Sequence, residues 1–586
     1  MRNAFILACV LLFGGVQNLS ACATPSAGEG AAAELSAVQD EAIIADLLLR
    51  GRKLLDAGQA SEAQILFEQA DGESRGALRT RIWLMRAWMD QGRINDAFDV
   101  MDRMREQGAE GTPVDYIYGM GSYRRALRDQ SGGMSKSVAF AFADAVQFLT
   151  RVLEADAEQY YDAWLPLAHA AWGSQELDQA RSAVDKAVEL DPENAQVHYW
   201  HGRILFSQFQ QAQTNANADA DANADADANA DADAELAGAE LGAGAEAAFL
   251  RALELTPRTE ERAANQHELH LQRGYLALWR KQQDASYIPF AEAIGWDPAS
   301  VDYAALFGSL QDAEGAATPY VRVLTSGHEQ FVERYGSENN SDATLLWWLG
   351  YGQASLEQHA LAEASYLASV TKWPAYVDSW WYLGRARYFQ EDYLGAVQAW
   401  ATLFDENPSS LVQLIGSDSE TNLGIVRYAV GKTVALVKED DLSLNIPMAA
   451  VAEAIIAVDH SQAKYWNDLG LFCRDAGEHL TDSSEEGDAE RALVYLERSW
   501  ESYQHAMTLA PTDPAYINDG AVVLHIFLKR DLDQAEALYG KAIGLAQEQI
   551  AAGGLDEAQL KLVQQALGDA QKNLETLRKE RAEAGN

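Results

Sequence analysis

The residues best equipped for chemistry in this chain are few and scattered. His267-Glu268-Leu269-His270 sets two imidazoles beside a carboxylate. A helical zinc pair needs its histidines four residues apart, so that both rings leave one face with the glutamate between them. A spacing of three does not give that arrangement, and no metal site is expected. Cys473 falls at a packing position and reads as a buried small hydrophobe rather than a nucleophile. Residues Asn217 to Ala234 are three copies of Asn-Ala-Asp-Ala-Asp-Ala. A calcium loop also alternates oxygen ligands, but it needs a turn glycine and a distal glutamate at fixed spacing, and neither is present. There is no Gly-x-Ser-x-Gly, no phosphate loop and no dinucleotide fingerprint. The expectation is a chain that is not an enzyme and has no cofactor, no metal and no small-molecule substrate.

The elements that must position any site repeat through the chain. Leu349-Gly350, Ala362, Tyr366 and Pro374 recur 34 residues later as Leu383-Gly384, Ala396, Trp400 and Pro408. Gly384 and Ala396 are small where two antiparallel helices approach closely, Trp380, Leu383 and Trp400 fill the space around them, and Pro408 ends the pair. The same spacing finds Gly51 with Ala63 and Phe67, then Met85 with Ala97, Gly119, Ala168 with Ala180, Gly202 with Ala245, Gly274 with Phe290, Gly470 with Tyr503, and Ile517 with Ala535.

This pattern resembles the tetratricopeptide repeat. The resemblance implies an all-α fold, a tetratricopeptide-repeat α-solenoid whose antiparallel helix pairs stack into a right-handed superhelix. The expected organisation is a signal at 1–21, a tether at 22–40 and N-terminal repeats at 41–298. A divergent helical pair follows at 299–340, then two regular repeats at 341–408 and divergent helices at 409–460. C-terminal repeats occupy 461–550, and a capping helix with a tail occupies 551–586. The Asn-Ala-Asp copies fall at the turn of the Gly202 unit, so residues from about 211 to 240 are expected to form a disordered acidic insert.

The resemblance also implies a groove lined by the first helices of successive pairs. With the glycine as the eighth position, the second, fifth, ninth and twelfth positions line it. Those positions hold Arg52, Arg86, Tyr199, Arg203, Trp347, Tyr351, Trp381, Arg385 and Tyr388. Arginines beside aromatics suit recognition and take carboxylates bidentately. The other reading is that the arginines sit on ordinary exposed faces and the aromatics pack between repeats. The pair of lysines and pair of asparagines that some members use for acidic C-termini is not visible.

The N-terminus reads as an address. Arg2 precedes an apolar run, Phe5 to Val16, too short to span a bilayer comfortably. Leu19-Ser20-Ala21-Cys22 then resembles a bacterial lipobox, which implies lipidation of Cys22 and attachment to a membrane through the lipidated N-terminus. The alternative is an ordinary secretory signal cut after Ala21 or Ala23. Ala23 is not aspartate, which by analogy favours the outer membrane, with the repeats in the periplasm.

The chain has 586 residues, with 88 acidic and 45 basic side chains. Such an acid excess argues against nucleic acid as a partner, because phosphate binding needs clustered lysine and arginine. The leading expectation is a non-enzymatic scaffold docking one or more unidentified envelope proteins. The alternatives are a glycan- or peptidoglycan-binding module and an accessory regulator of a cell-wall enzyme.

Overall fold

The computed structural model describes residues 27–584, apart from 131–132, 134, 223–227 and 439–440. The leader at 1–21 and Cys22 lie outside the described residues. Among those described there are 26 α-helices and no β-strand. The chain divides into two compact units that meet in sequence at Leu255 and Thr256.

The first unit contains five helix pairs. Ala27–Asp56 packs on Ala60–Glu73, Thr112–Gln130 on Lys136–Asp156, and Trp164–Gly173 on Leu177–Leu190. The pair Leu78–Asp90 and Ile94–Glu106 lies between the first two of these in sequence, and Ala195–Ala222 with Ala228–Leu255 comes last. The helices are amphipathic at the expected spacing. In Leu177–Leu190 the buried residues are Leu177, Ala180, Ala183, Val184 and Ala187. A continuous core runs from Ala63 to Ile204.

In the second unit the pair Ala263–Trp279 and Gln283–Trp296 is followed by the short Tyr303–Ser309 and the longer Thr318–Tyr335. Two regular pairs come next: Ala343–Ser355 with His359–Lys372, and Val377–Phe389 with Tyr393–Glu406. Beyond them lie Pro408–Ser417, Ser419–Val434 and Asn445–Val458, then Ala463–Thr481 paired with Asp488–Leu509. Pro514–Val522 runs into a π-turn before Leu532–Ala552, and Glu557–Ala584 closes the unit. That last helix buries Ala570 and Leu577, and Arg578 pairs with Glu536 at 2.8 Å.

The repeated residues explain the pairing. Ala63, Ala362 and Ala396 are fully buried. A side chain at Gly51, Gly350, Gly384 or Gly470 would collide with the ring of Phe67, Tyr366, Trp400 or Tyr503 respectively, so each glycine marks a close approach of two helices. Helix starts are fixed by a polar cap before proline, as at Asn407-Pro408 and Asp513-Pro514. A second recurring device links pair to pair. Four residues before the small position, a ring N–H donates to the carbonyl six residues earlier. Trp380 reaches Pro374 O at 2.7 Å and Trp466 reaches His460 O at 2.9 Å, while His198 Nε2 lies 2.8 Å from Pro192 O.

One region differs from the sequence expectation. Residues 211–222 and 228–240, expected to belong to a disordered acidic insert, lie in the helices Ala195–Ala222 and Ala228–Leu255, and 223–227 fall outside the described residues. Alanine, the best helix former, occupies every second position of the hexapeptide copies, and its propensity outweighs the weak helix preference of Asn and Asp.

Candidate functional site: a tyrosine- and arginine-lined hollow

Within the second unit, the first helices of the two regular pairs meet through the Tyr351 and Tyr382 rings, 5.9 Å apart, beside the helix His359–Lys372. A cavity of about 650 Å³ opens between them. Tyr351 stands on one wall, and Tyr382, Arg385 and Phe389 form the other. These last three share one helix face, at relative positions of minus three, zero and plus four. His359 and Tyr366 come from the helix beneath.

Arg385 makes no ion pair among the described residues, and its guanidinium lies 5.7 Å from the Tyr382 ring. The His359 ring stacks on Phe389 at 5.0 Å, and its Nδ1 is buried with no hydrogen-bond partner. The Tyr366 hydroxyl is likewise buried without a partner. Burial pushes the Tyr366 and Tyr382 hydroxyls above their ordinary range, so both stay protonated and able to donate. The hollow therefore combines aromatic walls, the Arg385 charge and donors in want of an acceptor, with the Glu357 carboxylate also in its lining. That chemistry binds a group with acceptor oxygens and an apolar neighbour, and it provides no nucleophile activated by a base.

The residues expected in the groove have different fates. Tyr351 and Arg385 line this hollow. Trp347 does not. It is 8% exposed and lies behind the wall, stacked on Tyr351 at 5.7 Å and edge-on to Tyr382 at 5.6 Å. Trp381 also belongs to the core, 2% exposed, with its ring 5.7 Å from Trp400 and its carbonyl accepting the Trp400 indole N–H. Its neighbour Tyr382, half-buried, lines the hollow instead. Tyr388 is half-buried against Tyr393 and Tyr428.

In the first unit the expected arginines are held internally. Arg86 is buried and paired with Asp90 and, at 3.8 Å, with Asp162, so it cannot present its charge to a ligand. Arg52 is half-buried between Trp83 and Tyr161, at 4.3 and 4.7 Å, and donates to Gln159 O at 2.9 Å. Arg203 rests over Trp172 and donates to the Tyr199 hydroxyl at 2.8 Å. The nine positions thus do not form one lining. His359, Tyr366, Tyr382 and Phe389 were not anticipated. The helical spacing of Tyr382 and Phe389 from Arg385 was the signal that would have found two of them.

The other chemistry-bearing residues are structural. His267 Nδ1 lies 2.9 Å from Ala293 O, and burial holds the His270 ring down to about 3, hence neutral. Burial also pushes the Cys473 thiol well up. Among the described residues no cluster of three or more His, Cys, Asp or Glu is placed to hold a metal ion, and no helix is long and apolar enough to cross a membrane.

Comparison with known proteins gives one family match. Residues 54–115 and 139–204 match a tetratricopeptide-repeat model. No curated protein matches the sequence. Among solved structures, the APC/C hetero-tetramer Cut9–Hcn1 is 12% identical, over 89% of this chain and 95% of that one, with a TM-score of 0.26. The TPR domain of P58(IPK) is 12% identical over 78% and 98% respectively, with a TM-score of 0.17.

Proposed function

We propose that this chain, an all-α solenoid carrying tetratricopeptide repeats, is a protein-docking scaffold held at a bacterial membrane by acylation of Cys22. The docking reading rests chiefly on the hollow around Arg385. In a chain with 43 more acidic than basic side chains, an arginine with no ion pair among the described residues stands between Tyr351, Tyr382 and Phe389. A partner segment carrying a carboxylate next to an apolar side chain meets both the charge and the rings. The envelope address rests on the apolar run before Leu19-Ser20-Ala21-Cys22. Ala23, in place of an aspartate after the cysteine, extends this reading to a periplasmic solenoid tethered at the outer membrane.

Crosslinked capture from native membranes tests the docking. The wild-type chain is expected to recover a reproducible protein set that the double variant Arg385→Gln, Tyr351→Ala loses while keeping its helical content. Equal recovery by the variant would remove the hollow from the docking surface. Retention of peptidoglycan fragments, unaffected by salt, would instead favour a glycan-binding module. Incorporation of labelled palmitate that disappears in Cys22→Ala tests the anchor, and unlabelled wild-type chain would overturn it.

A further inference from the structure

A second cavity, about 520 Å³, lies further along the second unit, where the 34-residue pattern lapses. One wall is the helix Ser419–Val434, the other is Ala463–Thr481, and Ala452 and Ile455 of Asn445–Val458 form the floor. Its volume falls in the range of small-molecule sites, which are mainly apolar with a few placed polar groups.

The wall is open because of two glycines. Gly424 and Gly431 are seven residues apart on one helix, and both line the cavity. A Cβ on either would meet nothing within 4 Å. They therefore differ from Gly350 and Gly384, which neighbouring rings keep small. Glycine in an exposed helix interior costs about 1 kcal/mol relative to alanine. Neither position gains a contact that offsets this, and the result is an unfilled volume over an apolar floor.

The charge at the mouth is specific. Lys464 is held by Asp468 at 2.8 Å. Arg427 lies 4.6 Å over the Tyr465 ring and makes no ion pair among the described residues. With no carboxylate paired to it, the guanidinium keeps N–H donors for an anion. The apolar void and the uncommitted cation together define a ligand with an apolar body and a single acidic head.

We infer that this cavity binds a compact amphiphile bearing one carboxylate or sulfonate, with its apolar body between Gly424 and Gly431 and its head on Arg427. The site is independent of the docking hollow and adds a small-molecule ligand to a chain whose leading reading is protein docking.

Fluorescence titration of the purified chain with anilinonaphthalene sulfonate, with laurate as competitor, tests it. One saturable site displaced by laurate is expected. Gly431→Leu and Gly424→Val each fill the void and should abolish binding, and reading both keeps the test intact if one fails to fold. Arg427→Gln should weaken binding about tenfold and remove its salt dependence, and Arg427→Lys should restore part of the affinity. Arg385→Gln should leave it unchanged. Wild-type binding in folded Gly431→Leu and Gly424→Val would overturn the site. Equal affinity for uncharged phenylnaphthylamine, with no effect of Arg427→Gln, would overturn the acidic head.

Discussion

The same substitution should have opposite signs at two glycines in this chain. Alanine is the better helix former by about 1 kcal/mol. At Gly540, in Leu532–Ala552, a Cβ meets nothing within 4 Å, so Gly540→Ala should stabilise by about 0.5–1 kcal/mol. At Gly384 the new methyl would enter the fully buried Trp400 indole. Gly384→Ala should therefore destabilise by about 1–3 kcal/mol despite the better propensity, as overpacking does. Urea melts of the two variants check both signs. His169 supplies a pH dependence at this same scale. It is buried, its ring 3.5 Å from that of Trp200 and its Nδ1 3.1 Å from the Tyr123 hydroxyl. Burial, then the Arg203 charge, hold its pKa down to about 3, from an ordinary value of 6.5. The unfolded ring takes up a proton below 6.5 while the folded ring does so only near 3. The preference for a neutral ring is therefore fully present above 6.5 and is lost as the pH falls towards 3. By pH 5 this amounts to about 2 kcal/mol. Melts at pH 7 and 5 should show that loss in wild type and a smaller one in His169→Phe. These residues also show what was legible in the sequence. Small residues facing rings announced themselves by their 34-residue spacing. The split between Trp381 and Tyr382, one in the core and the next in the hollow, did not, because adjacent helical residues differ by 100° and a one-residue ambiguity in register exchanges them. The burial of Arg86 depends on Asp162, 76 positions away, which no local pattern reveals.

At the scale of the helix pair, a backbone constraint recurs that composition hides. Seven residues after the small position the turn enters the left-handed region. Glycine fills it at Gly58 and Gly92, but Gln175, Lys281, Glu357 and Glu391 adopt the same conformation with φ between 56° and 64°. A residue with a Cβ is strained there by about 1–2 kcal/mol, and glycine is not, although glycine gives up more chain entropy on folding. Glu391→Gly should therefore raise stability by about 0.5–1 kcal/mol. Glu391→Ala keeps the strain and should not, so thermal melts of the two separate backbone from side-chain effects. The regular pairs were readable because close approach, ring filling and the terminal proline each demand a residue type at a set interval. The segment 409–460 was not, since Pro408–Ser417 and Ser419–Val434 have no small-to-ring contact of the kind made by Gly384 and Trp400. Gly416, Gly424 and Gly431 all face open space.

At the scale of the whole molecule the dominant fact is charge: 88 acids against 45 bases. Many bases are already engaged. Arg498 binds both carboxylate oxygens of Glu453, Arg530 pairs with Glu497, and Arg151 with Asp115. Two electrostatic effects then oppose each other. Exposed ion pairs of this kind contribute about 0–1 kcal/mol each and weaken in salt. The unpaired acids repel one another in the folded chain more than in the expanded one, and salt relieves that repulsion over a Debye length of about 10 Å at 0.1 M. Even with every base paired, 43 acids remain unneutralised, so repulsion prevails. Raising sodium chloride from about 10 to about 200 mM should increase the midpoint of thermal unfolding by about 2–4 °C, measured by circular dichroism at pH 7. A falling midpoint would mean that the ion pairs outweigh the repulsion. The same screening should act oppositely on a carboxylate docked at Arg385, so a partner lost at high salt while the scaffold melts later would separate recognition from folding in one titration.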